Sequence, residues 1–199
     1  MAFGDSIKTV GPGDKISHVM LLYIGVKDGV WNVNRWFSEI DAAGLDQTQE
    51  RLLTLAQGPN PEKQPGFDGF GFENIQFDKY MSYFTIVLDA VGYDFHDGDN
   101  TDPIWFLETK DNSSLPPPCE PVTPNKSFYD LEKLTVGGFP AVRCRNYMRS
   151  GIDGKPLKEG QCEGFIFNIY IHAKYAQGGN DLGVILAIDP DGSNKGPRV

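Results

Sequence analysis

Histidine is scarce in this chain: His18, His96 and His172 are all there are in 199 residues. Imidazole is the commonest proton carrier near neutral pH, so its scarcity narrows the enzyme classes open to the protein. His18 begins an apolar stretch and reads as structural. His172 lies beside Asn168 and Tyr170 in an alternating stretch, where hydrogen bonding or exposure is commoner than catalysis. There is no G-x-S-x-G elbow, H-E-x-x-H pair, P-loop or dinucleotide fingerprint, which removes those mechanisms. Gly151-x-x-Gly154-Lys155 has the wrong spacing for a phosphate loop and runs into Pro156. Cys119, Cys144 and Cys162 are odd in number, and no two have zinc-site spacing. No run approaches the ~20 apolar residues of a membrane span. Positive charge is also in deficit, with 18 Lys and Arg against 27 Asp and Glu, for a net charge of −9. Duplex binding needs a basic footprint that releases counterions, so nucleic acid is not an expected partner. Met1 to Ser6 lacks a basic region followed by an apolar run, so no leader is expected. The expected setting is the cytoplasm, with reduced thiols. A viral or surface assembly is the other setting such a chain fits.

What the chain does have is period-two patterning. Phe165, Phe167, Ile169 and Ile171 alternate with Ile166, Asn168, Tyr170 and His172, which places the two sets on opposite faces of a strand. Gly178-Gly179-Asn180 permits a reversal, and Leu182, Val184, Leu186 and Ile188 form a second strand. Asp189-Pro190-Asp191-Gly192 is expected to end that strand, because Pro190 cannot donate a ladder hydrogen bond. Ile16 to Val26 reads as a strand buried on both faces, and Asp28-Gly29 as the turn into a second. Further strands are predicted over Tyr80 to Tyr93, Pro103 to Thr109, Phe128 to Val136 and Phe139 to Met148. A helix is predicted over Gln47 to Gln57, capped by Asp46 or Thr48 and stopped by Gly58-Pro59. Gly58 to Gly71 reads as a loop, and the proline-rich Lys110 to Asn125 as a stiff connection between sheets. Eight to ten strands with one short helix predict an all-β fold, an antiparallel β-sandwich or jelly roll, as one domain over residues 1–199.

Three clusters are candidate sites. Asp94, Asp97, Asp99 and Asp102 crowd one loop, with His96 and Asn100 among them. Such a loop can supply the six to eight oxygens that Ca²⁺ takes, although the spacing is not that of an EF-hand. A solvated acidic turn is the plainer reading. Phe67, Phe70 and Phe72 stand on a glycine-rich backbone, where exposed rings can stack on sugars or partners. The plainer alternative is a satellite cluster tucked under the loop. Arg143, Arg145, Tyr147 and Arg149 share one parity and predict a positive stripe that could grip a carboxylate, a phosphate or an acidic neighbour.

The final hairpin with its Asp189-Pro190-Asp191-Gly192, preceded by the proline-rich Leu115 to Pro124, resembles the C-terminal third of bacterial inclusion-body proteins of the PixA/AidA type. The tryptophan that family carries before Asp-Pro is Ile188 here, and the N-terminal half shows no clear match. The resemblance implies a cytoplasmic β-sandwich without known catalysis, prone to self-association or ligand binding. The resulting expectation is a non-catalytic binding or assembly module, a homo-oligomer held through strand edges or loops. A Ca²⁺-dependent, lectin-like glycan binder is the first alternative, and a carboxylate-pair hydrolase the second.

Overall fold

The computed structural model describes residues 16–27, 29–73, 75–77, 80–96, 103–106, 127–148, 155–158, 161–173, 176–177, 180–181, 184–188 and 191–195. Strands β1 (His18–Lys27) and β2 (Val30–Glu39) form a hairpin, followed by helix α1 (Leu45–Gln57). Next come β3 (Phe67–Phe70), β4 (Ile75–Phe77), β5 (Ser82–Asp89), β6 (Tyr93–Phe95) and β7 (Ile104–Phe106). A second hairpin joins β8 (Phe128–Val136) to β9 (Phe139–Asn146). The C-terminal strands are β10 (Cys162–Ala173), β11 (Ala176–Gln177), β12 (Asn180–Asp181), β13 (Val184–Ile188) and β14 (Asp191–Lys195).

The first sheet has the order β3-β2-β1-β5-β9-β8. Its ladders are antiparallel except between β1 and β5, which run parallel. The second sheet is built on β10. One edge of β10 carries β13 and then β14, the other β7 and then β6. β4 lies parallel to β14. Both sheets are therefore mixed, where an all-antiparallel arrangement was expected. β13 is the expected antiparallel partner of β10 and ends at Ile188, but the segment 191–195 differs from expectation. Ile169 faces Ile188, and three residues along, Ile166 faces Asp191, so β14 resumes the ladder of β13 in the same register. Asp191-Gly192 therefore belongs to a strand and not to its end. Gly192 lies opposite Phe165, whose ring covers the place a side chain would take.

The apolar residues divide into two buried clusters, one on each face of the first sheet. Met20, Leu22, Ile24, Phe84, Ile86, Leu88, Val142 and Cys144 pack against Phe165, Phe167, Ile169, Ile171, Ile75 and Phe77 of the second sheet. At its centre Phe77, Phe84, Phe128, Phe165 and Phe167 meet mostly edge to face, at centroid distances of 4.9–6.3 Å. The opposite face presents Val19, Leu21, Tyr23, Trp36, Val87 and Ala141 to Leu52, Leu53 and Ala56 of α1. The predicted double burial of β1 is thus correct, and the helix supplies a third layer. That helix starts at Leu45, two residues earlier than predicted, behind Gly44. Thr48 is inside it. Its hydroxyl donates to Gly44 O at 2.8 Å and accepts from the Asp41 N–H at 3.1 Å, so it ties the entry to the first turn without being the cap. Gly137 and Gly138, both at positive φ, make the tight β8–β9 turn.

Candidate functional site

The outer face of β10, opposite the phenylalanines, carries Asn168, Tyr170 and His172, all partly buried. β6 pairs against it. Asp94 is the direct cross-strand partner of His172. The His96 N–H donates to Tyr170 O at 2.9 Å, which continues the same register beyond the strand. His96 and His172 are thereby brought together diagonally, with ring centroids 6.1 Å apart and planes at 88°. Asn168 Nδ2 donates to Tyr170 Oη at 3.3 Å, while Asn168 Oδ1 is buried without a hydrogen-bond partner. Asp94 Oδ1 accepts the N–H of Phe95 at 2.8 Å. The edge of β6 meets the β8–β9 hairpin in a cleft of about 140 Å³ lined by Asp94, Phe95, Lys133, Leu134, Pro140 and Ala141.

Of the acidic loop, only Asp94 can be placed; Asp97, Asp99 and Asp102 lie outside the described residues. Among the described residues no three His, Cys, Asp or Glu side chains converge as a metal-binding set. Phe67 and Phe70 lie on strand β3 and not on a loop, while Phe72 lies just beyond it. Phe67 meets Trp36 edge to face at 5.6 Å and packs on the helix-side core, and Phe72 packs on the core between the sheets. Only Phe70, 55% exposed, offers its ring to solvent. The segment is held from beneath by Arg35, which is almost wholly buried. Its Nε donates to Asp68 at 3.0 Å, and its Nη1 to the carbonyls of Phe70, Gly71 and Glu73 at 3.2, 3.0 and 2.6 Å. These carbonyls lie where the chain leaves β3 in the first sheet for β4 in the second, so Arg35 fixes that crossing.

The arginine stripe is not a free patch. Arg143 and Arg145 pair with Thr85 and Tyr83 of β5 on the helix-covered face. Arg143 Nε donates to Glu132 at 2.7 Å, and its Nη1 reaches Asp46 at 3.2 Å and Gln49 Oε1 at 3.0 Å. Gln49 Nε2 in turn donates to the buried Thr85 Oγ1 at 2.6 Å. Arg143 is therefore a strut between α1 and the sheet. Arg145 is within 3.4 Å of Asp130, and both guanidinium groups lie over the Tyr83 ring. A hydrogen bond with Tyr147 is the main reason Arg145 holds its proton more tightly than usual. Tyr147 is buried, edge to face with Tyr129. It follows the end of β9, so strand parity does not extend to it; Arg149 lies outside the described residues.

Two further features escaped prediction. At the end of the first sheet holding the β1–β2 turn, Val30 is 67% exposed, Trp31 is 39% exposed and Val91 is fully exposed. Trp31 meets Tyr93 edge to face at 5.2 Å, which joins the β1–β2 turn to the β5–β6 turn. A signal existed, because Val30 directly follows Asp28-Gly29 and Val91 directly precedes Gly92, where turns ordinarily carry polar residues. At the other end, His18 is stacked on Tyr80 at 4.0 Å and on Phe37 at 5.4 Å, and its Nδ1 is hydrogen-bonded to Ser17 Oγ at 2.8 Å. Burial lowers the His18 pKa, and the neighbouring Glu39 carboxylate partly opposes this.

Cys144 is a free, buried thiol whose pKa burial raises. Cys162 is disulfide-bonded, so the expectation of reduced thiols does not hold there. Separation along the chain cannot show which cysteines a fold brings into bonding range. No helix among the described residues is long and apolar enough to cross a membrane. No protein-family description, curated protein or solved structure matches the chain.

Proposed function

We propose that this protein is a non-catalytic binding and assembly module, a two-sheet sandwich that self-associates through its apolar end. The observation behind this reading is the projection of Val30, Trp31 and Val91 into solvent from adjoining turns, with Tyr93 braced against Trp31. Burying one such side chain is favourable by roughly 1.5–3 kcal/mol, and tryptophan and tyrosine are the residues most enriched at energetic centres of interfaces. Two copies meeting end to end about a twofold axis would each cover the other's patch. Strand edges are a poorer route. β8 carries a bulge between Tyr129 and Glu132 with Asp130 at positive φ, and its exposed residues include Asp130, Glu132 and Lys133. Bulges and charges of this kind discourage edge pairing. The resemblance of the C-terminal third to self-associating inclusion-body proteins of the PixA/AidA type, which are cytoplasmic, supports the same reading. Sedimentation velocity across a concentration series tests it. The expected result is a reversible homo-oligomer that the double variant Trp31→Ser, Val91→Asp converts to a folded monomer with an unchanged circular-dichroism spectrum. A wild-type chain that stays monomeric throughout the series would sink the reading.

Ca²⁺-dependent glycan binding is the second reading, favoured by Phe70. Its ring is exposed on a segment that Arg35 has already fixed in place, which reduces the ordering cost of stacking a sugar. Glycan-array binding that Phe70→Ala and a chelator each abolish is the expected result, and binding indifferent to both excludes it. The carboxylate-pair hydrolase is the third reading; among the described residues, the cleft at Asp94 has Lys133 as its other charged lining residue.

A further inference from the structure

We propose that His96 and His172 bind a borderline divalent transition ion of the Zn²⁺, Cu²⁺ or Ni²⁺ class on the outer face of the second sheet. Imidazole nitrogen suits these ions, whereas Ca²⁺ takes oxygen ligands, so this site is chemically distinct from any calcium loop. Three observations support it.

The first is geometry. The rings are 6.1 Å apart, centroid to centroid, and nearly perpendicular. With Zn–N distances of 2.0–2.1 Å, two imidazoles on one tetrahedral ion have centroids roughly 5 Å apart, so closing the pair needs about 1 Å of side-chain movement. The second is rigidity. His172 lies within the long strand β10, and the His96 backbone is fixed by its hydrogen bond to Tyr170 O, so both donors start from ladder-held positions. The third is availability. Both rings are partly buried, and neither makes a side-chain hydrogen bond among the described residues, so their nitrogens are open to a ligand. A bound ion would occupy one nitrogen of each ring, and solvent would complete its coordination. Asp94 is the cross-strand partner of His172, so its negative charge lies near the pair and would offset part of the charge of the ion.

The full-length chain, stripped with chelator and dialysed, would be titrated calorimetrically with Zn²⁺ and, in a separate arm, with Ca²⁺. Copper(II) electron paramagnetic resonance on the wild type would count the nitrogen ligands. The expected result is one Zn²⁺ per chain and a two-nitrogen copper spectrum. His96→Asn and His172→Asn should each weaken Zn²⁺ binding by at least about tenfold, Asp94→Asn by less, and His18→Asn not at all. Any Ca²⁺ isotherm should be unchanged in the histidine variants. Zn²⁺ binding of equal affinity in wild type and both histidine variants overturns the proposal, as does a copper spectrum with fewer than two nitrogens. The copper measurement needs no variant, so it decides the matter even if a substitution prevents folding. Loss of self-association in the Trp31, Val91 variant would leave this result untouched.

Discussion

Replacing Arg35 with leucine should be among the most damaging single changes to the first half of the chain. The guanidinium is 7% exposed and donates to Asp68 and to three backbone carbonyls at the crossing from β3 to β4. Leucine keeps much of the packing and removes every donor. A buried acceptor left unpaired costs about 1–3 kcal/mol. The three carbonyls share the two protons of one nitrogen, so their contributions fall short of three full hydrogen bonds. Asp68 is 30% exposed and recovers water, so its share is smaller still. The net loss comes to about 3–4 kcal/mol, a large part of the 5–15 kcal/mol that keeps a domain folded. Urea unfolding followed by tryptophan fluorescence should show a midpoint lowered by roughly 1–2 M at unchanged slope. Arg35→Lys should fall between leucine and wild type, because an ammonium keeps the charge without the planar fork. Asp68→Asn should cost no more than about 1 kcal/mol. A leucine variant within roughly 0.3 M of wild type would refute this account of the crossing. So would an Asp68→Asn variant as unstable as the leucine one.

Three other outcomes follow from named contacts. Burial, together with the hydrogen bond and charge of Asp89, raises the Tyr23 pKa above its ordinary 10.0. The unfolded chain therefore loses this proton first, so wild-type stability should fall as pH rises above 10, and more steeply than in Tyr23→Phe when both are followed by denaturant midpoints. His18 has the opposite sense. Its folded pKa lies below 6.5, so the unfolded state takes up the proton first and stability should decline as pH drops below 6.5. His18→Phe, which preserves the stack on Tyr80, should lack that decline; an identical pH profile in the two proteins would count against it. Gly192→Ala would drive a methyl group into the Phe165 ring, itself held by Phe77, Phe128 and Phe167. A cost of about 1–3 kcal/mol is expected in calorimetric or urea unfolding, and a neutral result would show that the ring can move aside.

Elements whose pattern is local were legible in the sequence. β1 is a continuous apolar run and is buried on both faces, β10 alternates and is buried on one, and Gly137-Gly138 turns as a glycine pair should. β3 was hidden because Gly69 and Gly71 suggest a loop, and only the pairing with β2 and the grip of Arg35 make it a strand. β14 was hidden because Pro190 ordinarily ends a ladder, yet the register resumes beyond it. Arg143 and Arg145 share one face, as their parity predicts. What parity could not show is that a helix from residues 45–57 covers that face and supplies Asp46 and Gln49. The diagonal pair of His96 and His172 was out of reach for the same reason, since β6 and β10 are far apart in the chain and nothing local specifies their register.

The parallel pairing of β1 with β5 has a consequence for biosynthesis. When β1 and β2 leave the ribosome, their hairpin can close at once, but β5, which ends at Asp89, is complete only about fifty residues after Glu39. At 5–20 residues per second, that is a wait of roughly 2.5–10 s. Throughout it, Met20, Leu22 and Ile24 lack the second sheet they pack on, whereas Val19, Leu21 and Tyr23 can meet α1 once residue 57 has emerged. A nascent chain stalled in that interval is a natural client for a holdase chaperone, and truncation before Ser82 should leave an insoluble fragment.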